Sequence, residues 1–436
     1  MRVQIIMFAL LCPFVISGEI NAGGSFSPLS GIKKTLLDNG LTVYVKEDHK
    51  LPVVSIHLWV KAGSVDETDR NNGVSHFLEH MLFKGTEKYT VGEISRIVEA
   101  HGGVINAGTS KEYTMYYIDI VKAGFNDALN IIAEIAQKAT FPEKELESER
   151  QVILEEIKRA DDSPESVLYD KFNNQLFKVS PYKRRVLGSS ETVSSLNRES
   201  ILSYYRERYT PNNMVLVIAG DVDFDSAMSS VREIFSYLKP GLPQRLREGL
   251  IEPVQLTSVE KVKKNVQYSY VLLGFLGPDI DSKNQYSGDA LAILLGSGRS
   301  SRLYNKLREQ KQLVYSIGSG FYSQIGSGVF YVSFLCDKEK QDEVIKEVSY
   351  ELNKIINDGV DSKELERVKE IVRSNWFFGQ ETYGQQADII GYWSLFERLH
   401  IVENYLKNID GLKLDDIKNF LKTYYTNFTI TVIDPG

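Results

Sequence analysis

His76 and His80 lie four residues apart in the stretch Gly73-Val-Ser-His76-Phe-Leu-Glu79-His80-Met-Leu-Phe, and they are two of only six histidines in the chain. On a helix, residues i, i+3 and i+4 share a face, so His76, Glu79 and His80 project into one volume. Two imidazoles can bind zinc, and a carboxylate beside them can take a proton from water activated by the metal. The H-x-x-E-H order is the reverse of the commoner H-E-x-x-H. A helix that merely packs two histidines is the competing reading. Against it stands the apolar setting of Phe77, Leu78, Met81, Leu82 and Phe83. Two histidines and a glutamate buried there cost free energy unless something pairs them, and a metal does.

A catalytic zinc takes three protein ligands and keeps one position open, so a third ligand must come from elsewhere. The acids between Glu143 and Glu156 are the candidates. This stretch reads as a helix with an acidic surface, and most of its glutamates should be solvated. Glu149 and Glu156 are seven residues apart and share a face, whereas Glu155 points elsewhere. Val152, Ile153 and Ile157 suggest that the end of this helix is partly buried. Spacing alone leaves the choice among these acids open.

The elements that must position these groups alternate irregularly. Asn39-Gly40 sits between the apolar runs Leu36-Leu37 and Leu41 to Val45, a strong hairpin signal. Val53 to Val60 reads as a strand, and segments 91–101, 125–139 and 143–159 carry helical periodicity. Regular βαβ alternation is missing, so an α+β fold with largely antiparallel sheets is expected. The chain also repeats itself. Glu199-Ser-Ile201 through Tyr209-Thr210 into Met214 to Ile218 resembles Asp415-Asp-Ile417 through Tyr425-Thr426 into Ile430 to Ile433, and Tyr209 and Tyr425 are 216 residues apart. Glu143 to Glu147 resembles Ser362 to Glu366 at a similar offset of 219. Two tandem homologous halves follow, each a sheet packed with helices. Residues 239–253 hold three prolines and two glycines and read as the linker between a first half at 24–238 and a second half at 254–436.

The chain begins with Met1-Arg2 and an apolar run from Val3 to Ser17, followed by Gly18, Ala22, Gly23 and Gly24. One positive charge, a short apolar core and small residues read as a secretory signal peptide over residues 1–23. The run is shorter than the roughly 20 residues a spanning helix needs, so no membrane span is expected in the mature chain; an uncleaved anchor is the alternative. In a Gram-negative bacterium, export would deliver the chain to the periplasm. Of the two cysteines, Cys12 would leave with the signal and Cys336 would remain alone, so no intramolecular disulfide is expected. The 51 basic and 58 acidic side chains sum to −7. No basic excess exists to neutralise phosphates, which argues against nucleic-acid binding.

The sequence resembles the pitrilysin family of inverted-motif zinc peptidases, in particular bacterial members similar to the mitochondrial processing peptidase β subunit. The resemblance spans nearly the whole mature chain. It is carried by Ala62-Gly-Ser64, Gly73, His76 to Thr86 and Gln151 to Glu156. It implies His76, His80 and Glu156 as ligands of one zinc, Glu79 as general base and Glu149 as a helper. Gly102 to Tyr117, containing Asn106 and Ala107, resembles the family's substrate-binding edge strand, where an extended peptide adds as a further strand. Arg308 and Tyr315, seven residues apart, resemble a pair that contacts the substrate near the zinc and would stabilise the oxyanion. In the second half, Ala290, Ile293 and Leu294 stand opposite His76, Glu79 and His80, and Asn375 stands opposite Glu156. One half would hold metal and the other would supply substrate contacts. The activity implied is zinc-dependent endopeptidase cleavage of peptides or unfolded segments, in a chamber closed by a homodimer or by pairing with a related chain. The rival expectation is a non-catalytic scaffold or partner subunit of the same fold.

Overall fold

The computed structural model describes residues 29–242, 252 and 257–436. The residues read as a signal segment, and most of those read as the linker, therefore lie outside the described residues. Eleven strands form two sheets among them. The first comprises β1 (Ile32–Leu36), β2 (Thr42–Glu47), β3 (Val53–Val60), β4 (Val104–Thr109), β5 (Thr114–Val121) and β6 (Met214–Gly220), ordered β1-β2-β6-β3-β5-β4. The second comprises β7 (Ser258–Lys264), β8 (Ser269–Gly277), β9 (Ser316–Gln324), β10 (Ser327–Cys336) and β11 (Thr429–Pro435), ordered β7-β11-β8-β10-β9. Only β2/β6 and β7/β11 pair in parallel. With β1 set aside, the two sheets have the same order and the same strand senses, so the repeat seen in the sequence is also a repeat in space.

Local chemistry explains the elements near the site. β1 and β2 are joined where Asn39-Gly40 predicts a turn, with Leu36 opposite Thr42. Gly40 adopts φ 91°, and a Cβ there would come within 2.9 Å of Asn212. The expected helices appear as Glu93–Ala100, Phe125–Gln137 and Glu143–Asp162. β3 is nearly free of solvent along its length because both its faces are covered. Val54, Ile56, Leu58 and Val60 pack into the core that also holds Phe77 and Leu78. Trp59 on the opposite face packs with Val217, Ala219, Ala387 and Ile390. Burying each large apolar side chain contributes about 1.5–3 kcal/mol, so this double cover holds β3 firmly.

The covering helices are exchanged between halves. Helix Tyr383–Leu395, from the second half, lies on β3 and β6 of the first sheet, while helix Pro164–Leu176, from the first half, lies on β8 and β11 of the second. Gly391 permits the first of these contacts, since a Cβ there would stand 2.0 Å from the Trp59 indole nitrogen. No described helix is long and apolar enough to cross a membrane.

Candidate metal centre

The motif residues lie on helix Val74–Met81, buried at all eight positions. A helix so enclosed needs its first N–H groups satisfied from within the protein. Glu67 does this. Its carboxylate accepts the N–H groups of Gly73 at 2.8 Å and Ser75 at 2.9 Å, and the Asn72 side-chain amide at 2.7 Å. Burial pushes the Glu67 carboxyl up, and these bonds oppose that shift. A carboxylate also complements the positive end of the helix. Glu67 escaped the sequence reading because it lies six residues before Gly73, outside the three-residue spacing of a capping box. Gly73 itself begins the helix at φ 98°.

The rings of His76 and His80 stand 4.7 Å apart at 70°. Glu156 approaches both, its Oε2 lying 3.7 Å from His76 Nε2 and 3.6 Å from His80 Nε2. These separations are too long for hydrogen bonds. They suit ligands of one ion, because atoms about 2.1 Å from a tetrahedral zinc stand about 3.4 Å from one another. Glu156 Oε2 is buried without a hydrogen-bond partner. Such an orphaned acceptor is costly unless something else satisfies it. The donor set thus fits zinc.

Burial also separates the acids of helix Glu143–Asp162. Glu149 is 8% exposed and Glu156 7%, while Glu143, Glu147 and Glu155 are exposed. Glu149 Oε2 lies 3.0 Å from His80 Nδ1, and its other oxygen accepts from Lys84 Nζ at 2.7 Å. With Nδ1 held by Glu149, His80 turns Nε2 toward Glu156, the arrangement that orients ligand histidines in metal sites. Glu79 is buried, and its carboxylate accepts from Thr109 Oγ1 at 2.8 Å. Thr109 ends β4, so the outer strand of the first sheet abuts the cluster.

The electrostatics follow from this crowding. Burial, helped by the neighbouring His80, lowers His76 to about 3 and keeps its imidazole neutral. Burial opposes the charging of His80, but Glu149, Glu156 and Glu79 outweigh it and raise His80 to about 9. A cation held by the three side chains would take the place of that proton. Burial lifts the Glu79 carboxyl above its usual range, against the pull of His80 and Thr109. That shift moves it toward the range in which a carboxylate exchanges protons near neutral pH.

Asn106 and Ala107 lie on β4, which pairs only with β5 among the described strands. The side-chain oxygen of Asn106 accepts the Ala107 N–H at 2.9 Å. Arg308 and Tyr315 make their described contacts within the second half. Tyr315 donates its hydroxyl to Asp337 at 2.8 Å, a bond that raises the phenol to about 12, and its ring lies 4.4 Å from Tyr268. Among the described residues, no hydrogen bond, ion pair or ring contact joins Arg308 or Tyr315 to His76, Glu79, His80 or Glu156. In the second half, Ala290 and Leu294 are fully buried on helix Gln285–Gly296, while Asn375 is exposed.

The chain matches two family models. The model for insulinase, peptidase family M16, covers residues 42–190. The model for the peptidase M16 inactive domain covers residues 195–372. An uncharacterized zinc protease of Rickettsia felis is 34% identical over 399 residues, which cover 91% of this chain and 96% of the relative. An uncharacterized zinc protease of Bacillus subtilis is 30% identical, with 93% and 98% covered. Among solved structures, a protease from Helicobacter pylori superposes with a TM-score of 0.86 at 27% identity, over 93% of this chain and 99% of that one. A peptidase M16 inactive domain from Pseudomonas fluorescens shares the fold, with a TM-score of 0.85 at 20% identity over 93% of this chain and 98% of that one.

Proposed function

Since the chain belongs to the insulinase-like M16 family of peptidases, we propose that it is a zinc-dependent endopeptidase acting on peptides or unfolded polypeptide segments. The observation that carries this reading is the buried set of His76, His80 and the orphaned Glu156 oxygen, with Glu79 beside it. These three side chains would hold one zinc, and Glu149 orients His80. Bound there, zinc would polarise the scissile carbonyl and acidify water. Glu79 takes the proton from the attacking water and delivers it to the departing amine nitrogen. Thr109 fixes the Glu79 carboxylate through its hydroxyl. An extended substrate adds along β4 past Asn106 and Ala107, with main-chain hydrogen bonds holding it beside the cluster.

Metal content and chelation test this reading. The purified chain should carry about one zinc, lose cleavage of a quenched fluorescent peptide to a chelator and regain it with zinc. Glu79→Gln should keep the metal while cleavage falls by roughly a thousandfold. Zinc bound without cleavage in the wild type would favour the rival reading, a non-catalytic subunit. That reading draws on the match of residues 195–372 to an inactive domain, but the first half retains a full donor set.

Arg308 and Tyr315 would stabilise the oxyanion only from a second chain, because nothing joins them to the cluster within their own. The working unit in this reading is a dimer, with itself or with a related chain, whose chamber excludes folded substrates. For a homodimer, mixing Glu79→Gln chains with Arg308→Ala chains should restore about a quarter of wild-type cleavage, since half of the dimers would be mixed and each would contain one complete site. No recovery on mixing would reject completion by a partner copy. We also propose export through the N-terminal segment, to the periplasm where the host is Gram-negative, and a mature N-terminus found after residue 23 would support cleavage of that segment.

A further inference from the structure

The segment carrying Arg308 is wound differently from the other described helices. Tyr304 to Gln310 forms a π-helical stretch. The Lys311 N–H reaches back five residues to the Lys306 carbonyl at 3.0 Å, and the Leu313 N–H reaches the Leu307 carbonyl at 2.9 Å. Next, Gln312 adopts φ 52°. A side chain takes this left-handed conformation only where its surroundings hold it there. Widened turns and left-handed residues both concentrate at functional sites.

Four cations lie between residues 302 and 311, and three of them are tied down. Arg302 donates to both oxygens of Glu364, at 2.8 and 2.5 Å. Lys306 reaches Glu347 and Glu351, each at 2.8 Å. Lys311 pairs with Glu347 at 2.5 Å. Leu303 and Leu307 are fully buried and anchor the apolar side of the segment. Glu351 is the hub. It is only 6% exposed, one oxygen accepts from Lys306, and the other lies 4.0 Å from Arg302 Nη1, which has no hydrogen-bond partner of its own. Arg308 is the exception among the four, with no ion pair among the described residues. A partly buried guanidinium with its donors free can donate to a carbonyl or carboxylate oxygen.

Stability alone does not explain this network. Partly exposed pairs contribute little, and a buried carboxylate carries a desolvation cost. What such a network supplies is a fixed geometry. We propose that Glu351 is a positioning residue for Arg308. By holding Lys306 and facing Arg302, it fixes the widened turn so that the Arg308 guanidinium stays unpaired and available to a substrate carbonyl oxygen. The inference rests on the reading of Arg308 as a substrate contact.

A double-mutant cycle on the zinc-loaded full-length protein, with a quenched unstructured peptide as substrate, tests it. Glu351→Gln should lower kcat about tenfold with KM within about twofold and zinc content unchanged. Lys306→Met should do the same. Arg308→Ala combined with Glu351→Gln should lose no more than Arg308→Ala alone. Independently of activity, amide hydrogen exchange in Glu351→Gln should speed up between Tyr304 and Leu313 and stay unchanged in the first half. Additive losses in the double variant, with Arg308→Ala itself impaired, would overturn the positioning role and leave the reading of Arg308 intact. Full activity in Arg308→Ala, or no cleavage by the zinc-loaded wild type, would overturn both. Unchanged kcat and exchange in Glu351→Gln would overturn the proposal alone.

Discussion

Helix Val74–Met81 and helix Gln285–Gly296 occupy matching places against matching sheets, yet they solve opposite problems. The first buries His76, Glu79 and His80 among apolar neighbours. The second fills the corresponding positions with Ala290, Ile293 and Leu294, packed in the second core. Both folds form, so the sheet and its apolar packing suffice to build a half. The polar set of the first helix has no counterpart in the second, and burying an acid and two imidazoles costs desolvation energy. Their presence accords with the proposed zinc site.

The sharpest way to break that contrast is to write the second helix into the first. His76→Ala, Glu79→Ile and His80→Leu, combined with Glu149→Val and Glu156→Leu so that no buried carboxylate is left without its histidine, should together abolish zinc binding and cleavage. The metal-free variant should also melt higher than the metal-free wild type, by about 1–4 kcal/mol of stability, as when buried ionic groups give way to packed apolar ones. Thermal unfolding of both proteins in chelator checks this. A variant less stable than the chelated wild type would mean that the polar cluster helps to hold the first half together.

The next contrast lies one shell out. Glu149 orients His80, while its counterpart at the offset of 219, Val368, is a fully buried core residue. Glu149→Gln keeps the volume but weakens the carboxylate's hold on His80 Nδ1 and its ion pair with Lys84. Zinc affinity, measured by competition with a chromogenic chelator, should fall about 10–100-fold. Val368→Gln should leave zinc affinity unchanged and act on stability alone, by burying an amide without a partner. Equal zinc affinity in Glu149→Gln and wild type would reduce Glu149 to an ion-pair partner of Lys84.

Much of this was legible in the sequence, and the parts that were not share a physical cause. His76, Glu79 and His80 could be read because helical spacing is local, and so could the strand at Val53 to Val60 and the helix holding Glu149 and Glu156. Which acid on that helix meets the histidines depends on how two helices pack, and spacing left it open until burial singled out Glu149 and Glu156. Glu67 and Thr109 act across gaps in sequence that no short pattern spans. The exchange of helices Pro164–Leu176 and Tyr383–Leu395 was hidden too, because an apolar stripe does not say which sheet it will cover. Whether Arg308 and Tyr315 touch the cluster was equally out of reach, since a resemblance carries residues over one at a time and not the distances between them.

The smallest expected effect concerns how the two helices begin. Gly73 starts the first helix at φ 98°, and a Cβ there would lie 2.9 Å from the Leu187 carbonyl oxygen and 3.1 Å from Gly188 Cα. Its counterpart, Ser287, is an ordinary buried residue inside helix Gln285–Gly296. The first helix therefore starts abruptly, under the Glu67 carboxylate, which places His76 three residues into the turn. Gly73→Ala should cost about 1–3 kcal/mol through the left-handed backbone and the close carbonyl. That should lower the melting temperature by a few degrees, at roughly 2–4 °C per kcal/mol for a half of this size. Ser287→Ala, where no left-handed start is needed, should change it by less than about 1 °C. Because the displaced backbone carries the Gly73 and Ser75 N–H groups that Glu67 accepts, Gly73→Ala should also weaken zinc binding several-fold, and Ser287→Ala should not. Equal melting temperatures for the two variants would mean that the chain relieves the contact by shifting the Leu187–Gly188 loop rather than the helix.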